Sequence, residues 1–220
     1  MSNFVVWVAD VGSISKFNFW WCRAPSLKQI TCSKPGNDID KFADGIVKDL
    51  KNGKKVALGF ECPLFIPVRD KTSELTKGRK GRDGKGDGNR PWSAGAGCAS
   101  LATGLTECVW IFERMRQKFG EATQKYVRPT FDWKEFIPKD ANLFIWEAFV
   151  SKNAKGASDR DDAKIAARTF WSKYHKCRNI VEASAVNEPA VYSLVGAALL
   201  RSNLTKRISI LREACIVIKS

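Results

Sequence analysis

Three carboxylates in this chain stand where a fold could bring them together. Asp10 closes the apolar run Phe4 to Ala9, Glu61 follows the run Lys55 to Phe60, and Asp162 lies in the first turn of a helix that opens near Asp159. Carboxylates that meet at one point bind hard divalent cations, because Mg²⁺ and Mn²⁺ prefer oxygen ligands. Two such ions about 4 Å apart stabilise both the attacking and the leaving oxygen of a phosphodiester displacement. Asp159 and Asp162 are three residues apart, so a helix sets them on nearly the same face, and both are candidate ligands. Asp161 falls three residues after Ser158 and suits a capping box, a structural role. Glu147, late in the run Leu143 to Trp146, adds a further acid at a strand end.

The elements that must position these acids can be read from periodicity. Phe4 to Ala9 is apolar and β-branched, as a buried strand requires, and Gly12 and Ser13 turn the chain after it. Lys16 to Cys22 and Leu27 to Cys32 are expected to add two strands in an antiparallel meander. Ile39, Phe42, Ala43, Ile46, Val47 and Leu50 recur at helical spacing, with Gly53 as a stop signal. Lys55 to Phe60 is the fourth strand, ended by Glu61 and Pro63. A long helix is expected from about Ser93–Gly97 to Phe119, with Leu101, Leu105, Cys108, Phe112, Met115 and Phe119 as its apolar stripe. Asn142 to Phe149 is the fifth strand. Asp159 to about Tyr174 is a helix capped by Ser158, Pro189 to Leu200 another, and Cys215 to Ile218 a short strand. The expected fold class is α/β, a mixed five-stranded sheet flanked by helices, in a single domain over 1–220 with 181–220 as an extension packed on it.

The 220 residues carry 37 Lys and Arg against 23 Asp and Glu, a formal charge of +14. Such an excess attracts polyanions, and nucleic acid is the first partner to expect. Between Arg69 and Arg90 the chain has no apolar periodicity, glycines at 78, 81, 84, 86 and 88, and eight basic residues against four acidic. This stretch reads as a mobile basic loop over 69–92, in which Arg69, Lys77, Arg79, Lys80, Arg82, Lys85 and Arg90 contact phosphates and Trp92 stacks on a base. The seven cysteines are scattered and none form a C-x-x-C pair, so zinc and disulfides are not expected. The longest apolar stretch, Ala190 to Leu200, is about half the ~20 residues of a membrane helix, which points to a cytosolic chain without membrane association.

The ordered set Trp7-Val8-Ala9-Asp10, Glu61-Cys62-Pro63-Leu64, Trp146-Glu147 and Asp162-Ala163 resembles the ribonuclease-H-like superfamily. Within it the chain is most similar to an uncharacterised bacterial family of predicted ribonuclease-H-like nucleases, and more distantly to RuvC-type junction resolvases. The resemblance spans most of residues 1 to 175. It implies a nuclease that cuts nucleic acid with Mg²⁺ or Mn²⁺ held by Asp10, Glu61 and Asp162, with Asp159 a fourth ligand and Glu147 a further catalytic acid. Some relatives carry a histidine near the last aspartate, whereas the sole histidine here, His175, lies past the other end of that helix. That departure motivates an alternative, a catalytically silent nucleic-acid-binding or adaptor module. A nucleotide-handling phosphotransferase ranks last, for want of a Walker-type loop.

Overall fold

The computed structural model describes residues 4–33, 39–82, 92–150, 154–177 and 179–220, and of Asp159 and Arg160 only the helical backbone. Strand β1 (Phe4–Asp10) buries all seven of its side chains, so it needs cover on both faces. It runs antiparallel to β2 (Trp20–Ser26) and parallel to β4 (Lys55–Phe60). β2 pairs with β3 (Gln29–Cys32) antiparallel, and β4 pairs with β7 (Leu143–Phe149) parallel. Two short strands, β6 (Pro129–Thr130) and β9 (Val217–Lys219), both join β7 in parallel. The result is a mixed seven-stranded sheet in the order β3-β2-β1-β4-β7-β6, with β9 also on β7.

Side chains that alternate along the strands divide the core into two layers. Val5, Trp7, Ala9, Val56, Leu58 and Phe60 face α1 (Ile39–Lys51), α2 (Gly95–Phe119) and α6 (Leu194–Arg201). Val6, Val8, Ala57, Phe144 and Trp146 face α5 (Asp159–Lys176) and the one-turn helix α4 (Trp133–Phe136). Asp49 on α1 ties the first layer to the sheet, accepting from the Trp7 indole at 2.9 Å and from Arg23 at 2.8 and 3.0 Å. Gly95–Tyr126 is long and apolar enough to cross a membrane by composition, with mean hydropathy 1.2 in its most apolar window. In the fold, α2 spends its apolar stripe on the sheet and on α1 and α6.

Several expectations need correction. The sheet has seven strands and not five, because Pro129–Thr130 was unrecognised and Val217–Lys219 pairs with β7. Ile14–Lys16 is a 3₁₀ turn, so the second strand begins only at Trp20. Val191–Ser193 is a strand, β8, paired antiparallel with β5 (Phe65–Pro67), and the helix expected from Pro189 begins at Leu194. Ser193 caps it by accepting from the Gly196 amide at 3.1 Å. Cys22 and Cys32, directly opposed on β2 and β3, form a disulfide, a pairing fixed by strand register and invisible to counts and spacing.

The start of the basic loop is also more ordered than expected. Residues 78–82 run beside 184–188, with a bridge between Gly81 and Val186, and the Asn187 amide donates to the Lys80 carbonyl at 2.8 Å. Lys85 and Arg90 lie outside the described residues.

Candidate functional site

Asp10 and Glu61 lie at the end of the sheet where the parallel strands finish, and Asp162 is on the helix that covers that face. Ala9 is paired with Phe60, and the Glu61 amide donates to the Ala9 carbonyl at 2.8 Å, so Asp10 and Glu61 end adjacent strands side by side. Asp10 continues the alternation of Val6 and Val8, and Glu61 that of Ala57, which places both on the α5 face. Asp162, in the first turn of α5, is one residue before Ala163, which packs into that layer. All three carboxylates are buried, at 6, 2 and 2% exposure for Asp10, Glu61 and Asp162.

Buried carboxylates need compensation. Glu61 accepts from the Val150 amide at 3.3 Å. Asp162 accepts from the Gly156 amide at 2.8 Å and forms an ion pair with Lys155 at 3.4 Å. The Ser158 hydroxyl donates to the Asp161 carboxylate at 2.9 Å and caps no backbone amide, so the expected reciprocal box is reduced to a side-chain bond. The side chain of Asp159 falls outside the described residues. The donor chemistry suits a hard cation, being all carboxylate oxygen. Among the described residues, however, no group of three acids, histidines or cysteines is placed to hold a single ion.

Glu147 lies on the other face of the sheet from Asp10 and Glu61. It is opposite Phe60 in the register, one residue out of step with Glu61, and therefore points to the α2 face. There Arg79 grips it with two bonds of 2.7 and 2.6 Å, and the Leu64 amide donates to it at 2.9 Å. Arg79, expected on the surface as a phosphate contact, is 3% exposed and stacks on Phe65 at 4.6 Å. Arg69 is withdrawn in the same way by a bidentate pair with Glu188, at 2.7 and 2.8 Å. Lys77, Lys80 and Arg82 remain exposed, with Lys77 beside Glu74 and Arg82 donating to the Val181 carbonyl at 2.9 Å. The half-buried Trp92 donates to the Lys77 carbonyl at 3.1 Å, which closes the basic segment at its base.

One acid was missed in the sequence. Glu107 on α2 is 5% exposed, and neither of its oxygens has a hydrogen-bond partner among the described residues. Burial pushes its carboxyl up to about 8, only partly opposed by the neighbouring Gly12 amide. It stands behind the turn that leaves Asp10, because Gly104, one helical turn earlier, lets α2 close on Cys62. A Cβ at Gly104 would lie 2.3 Å from the Cys62 sulfur. The signal was its spacing, since 104, 107, 108, 111 and 115 share one helix face. A hydrogen bond with the free thiol of Cys108 and burial raise the Cys62 thiol well above the usual range. No family model matches the chain, and neither a curated protein nor a solved structure is found similar to it.

Proposed function

We propose that the chain is a metal-dependent nuclease or nucleic-acid-processing enzyme that hydrolyses phosphodiester bonds, on a ribonuclease-H-like arrangement of its sheet. The observation that carries this reading is the placing of Asp10 and Glu61 at neighbouring parallel strand ends, on the face that α5 covers with Asp162 in its first turn. Asp10, Glu61 and Asp162, with Asp159 as a fourth candidate, would hold Mg²⁺ or Mn²⁺. The ion would supply charge stabilisation to the transferring phosphate and an activated water. The protein's own contribution is to keep these oxygens buried and aimed to one side of the sheet, while Lys77, Lys80 and Arg82 offer exposed positive charge to a polyanion.

The test is incubation of the full chain with Mg²⁺ or Mn²⁺ and labelled single-stranded, duplex, hybrid and branched substrates. Cleavage is expected, and Asp10→Asn is expected to reduce it by at least about a hundredfold. Cleavage of none of these substrates, or cleavage indifferent to Asp10→Asn, overturns the reading.

A second reading, a binding module without turnover, draws support from the engagement of Asp162 by Lys155 and Gly156. Salt-sensitive binding that persists in EDTA and in Asp10→Asn, without cleavage, selects it.

A further inference from the structure

We infer that the end of the sheet opposite the carboxylates carries a phosphate-binding site, in which Lys51, Lys55, Lys125, Arg128 and Lys139 hold a phosphate-bearing anion. The five cations line one cleft of about 390 Å³, formed where α1 ends and where β4 and β7 begin. Lys55 starts β4 and Glu61 follows its other end, so the six residues of the strand, at about 3.3 Å each, set the cleft roughly 20 Å from the carboxylates. The site is thus separate from the one proposed above and does not depend on it.

Cations gathered in one cleft repel one another unless an anion lies among them. Elsewhere the fold supplies that anion itself, as Glu188 does for Arg69 and Glu147 for Arg79. Here Asp140 is the one carboxylate in the lining, and among the described residues none of the five cations forms an ion pair. Local needs account for two of the five. Lys51 donates to the Lys118 carbonyl at 3.0 Å and suits the C-terminal end of α1. Lys55 donates to the carbonyls of Phe136 and Lys139. Burial nonetheless pulls the Lys55 ammonium below the usual lysine value, with Asp140 opposing the fall and Arg128 adding to it.

The other three are exposed, and no such need accounts for them. Arg128 donates through Nε to the Asp140 carbonyl at 2.7 Å, which anchors the guanidinium and leaves its two terminal nitrogens without a hydrogen-bond partner among the described residues. A guanidinium fork left open in this way matches two oxygens of a phosphate. The Lys139 ammonium has no partner among the described residues, and Lys125 lies only against the Tyr126 ring, at 5.5 Å. Several cations around one fork suit a multiply charged anion better than a lone carboxylate. A free polyphosphate and the backbone of a nucleic acid present the same group.

The full chain, in EDTA, is titrated with sodium tripolyphosphate by calorimetry and with a labelled single-stranded oligonucleotide by anisotropy. Wild type is expected to bind tripolyphosphate, and Arg128→Gln to weaken that binding at least about tenfold. Lys125→Gln and Lys139→Gln remove no hydrogen bond, so they are expected to melt as wild type does and still to bind more weakly. Lys219→Gln takes an equal charge from the far end of the sheet, where Lys219 pairs with Phe149, and is expected to keep full affinity. Oligonucleotide that is displaced by tripolyphosphate and weakened by Arg128→Gln supports the site and names the nucleic-acid backbone as its source of phosphate. Tripolyphosphate bound at these residues, with the oligonucleotide indifferent to them, supports it with a free polyphosphate as ligand. Three results overturn the inference: neither probe binds wild type, binding ignores all three cleft variants, or Lys219→Gln weakens it as much as Arg128→Gln. None of the three bears on cleavage at Asp10.

Discussion

At the scale of single residues, the site sets two kinds of acid side by side. Asp10, Glu61 and Asp162 lie on the α5 face, and the last two have identified hydrogen-bond donors. Glu107, behind the Asp10 turn, is buried without a hydrogen-bond partner among the described residues. A carboxyl whose value is about 8 in the fold and 4.5 when exposed binds its proton more tightly in the native state. Its contribution to stability is therefore complete below about pH 4.5, falls as pH rises, and is fully lost above about 8. Glu107→Gln keeps the shape and cannot ionise. The variant is expected to gain stability over wild type as pH increases from 5 to 9, by on the order of a few kcal/mol at the top of that range. Urea unfolding at pH 5, 7 and 9 measures the difference, and parallel pH profiles for the two proteins would show that Glu107 is not held in this way.

At the scale of elements, what could be read in advance was what repeats locally. The helical spacing of Ile39 to Leu50 and the apolar run Lys55 to Phe60 gave α1 and β4 nearly to the residue. Asp10 and Glu61 were legible for the same reason, as acids ending such runs. Glu147 was misjudged because one step of register reverses a strand's faces, and register is a property of two strands. Arg79 and Arg69 were misjudged because their partners lie 68 and 119 residues away. Those pairs make a testable clamp on the segment after β5. Arg79→Met leaves Glu147 buried without its cation and is expected to cost about 3–5 kcal/mol. Adding Glu147→Gln removes the stranded charge, keeps an acceptor for the Leu64 amide, and is expected to recover much of that loss. Chemical denaturation of the two single variants and the double variant gives the coupling directly. If the losses simply add, Arg79 is not the partner that makes Glu147 tolerable.

At the scale of the whole molecule, the question is how a charge of +14 is divided between holding the fold and meeting a ligand. Arg23, Arg69 and Arg79 are committed to Asp49, Glu188 and Glu147. Lys16, Lys80 and Arg82 are exposed, and they border the carboxylate turn and the segment stapled by residues 184–188. A phosphate neutralised by such a residue releases counterions, so the logarithm of affinity falls linearly with the logarithm of salt, by about 0.7 per contact for a single strand. Exchanging Lys16, Lys80 or Arg82 for alanine is expected to flatten that slope by roughly this amount each. Arg79→Met, which removes a buried charge, should leave the slope unchanged. Titrations of one labelled oligonucleotide between 50 and 300 mM salt measure these slopes. A slope insensitive to all three surface cations would place the nucleic-acid surface elsewhere on the molecule.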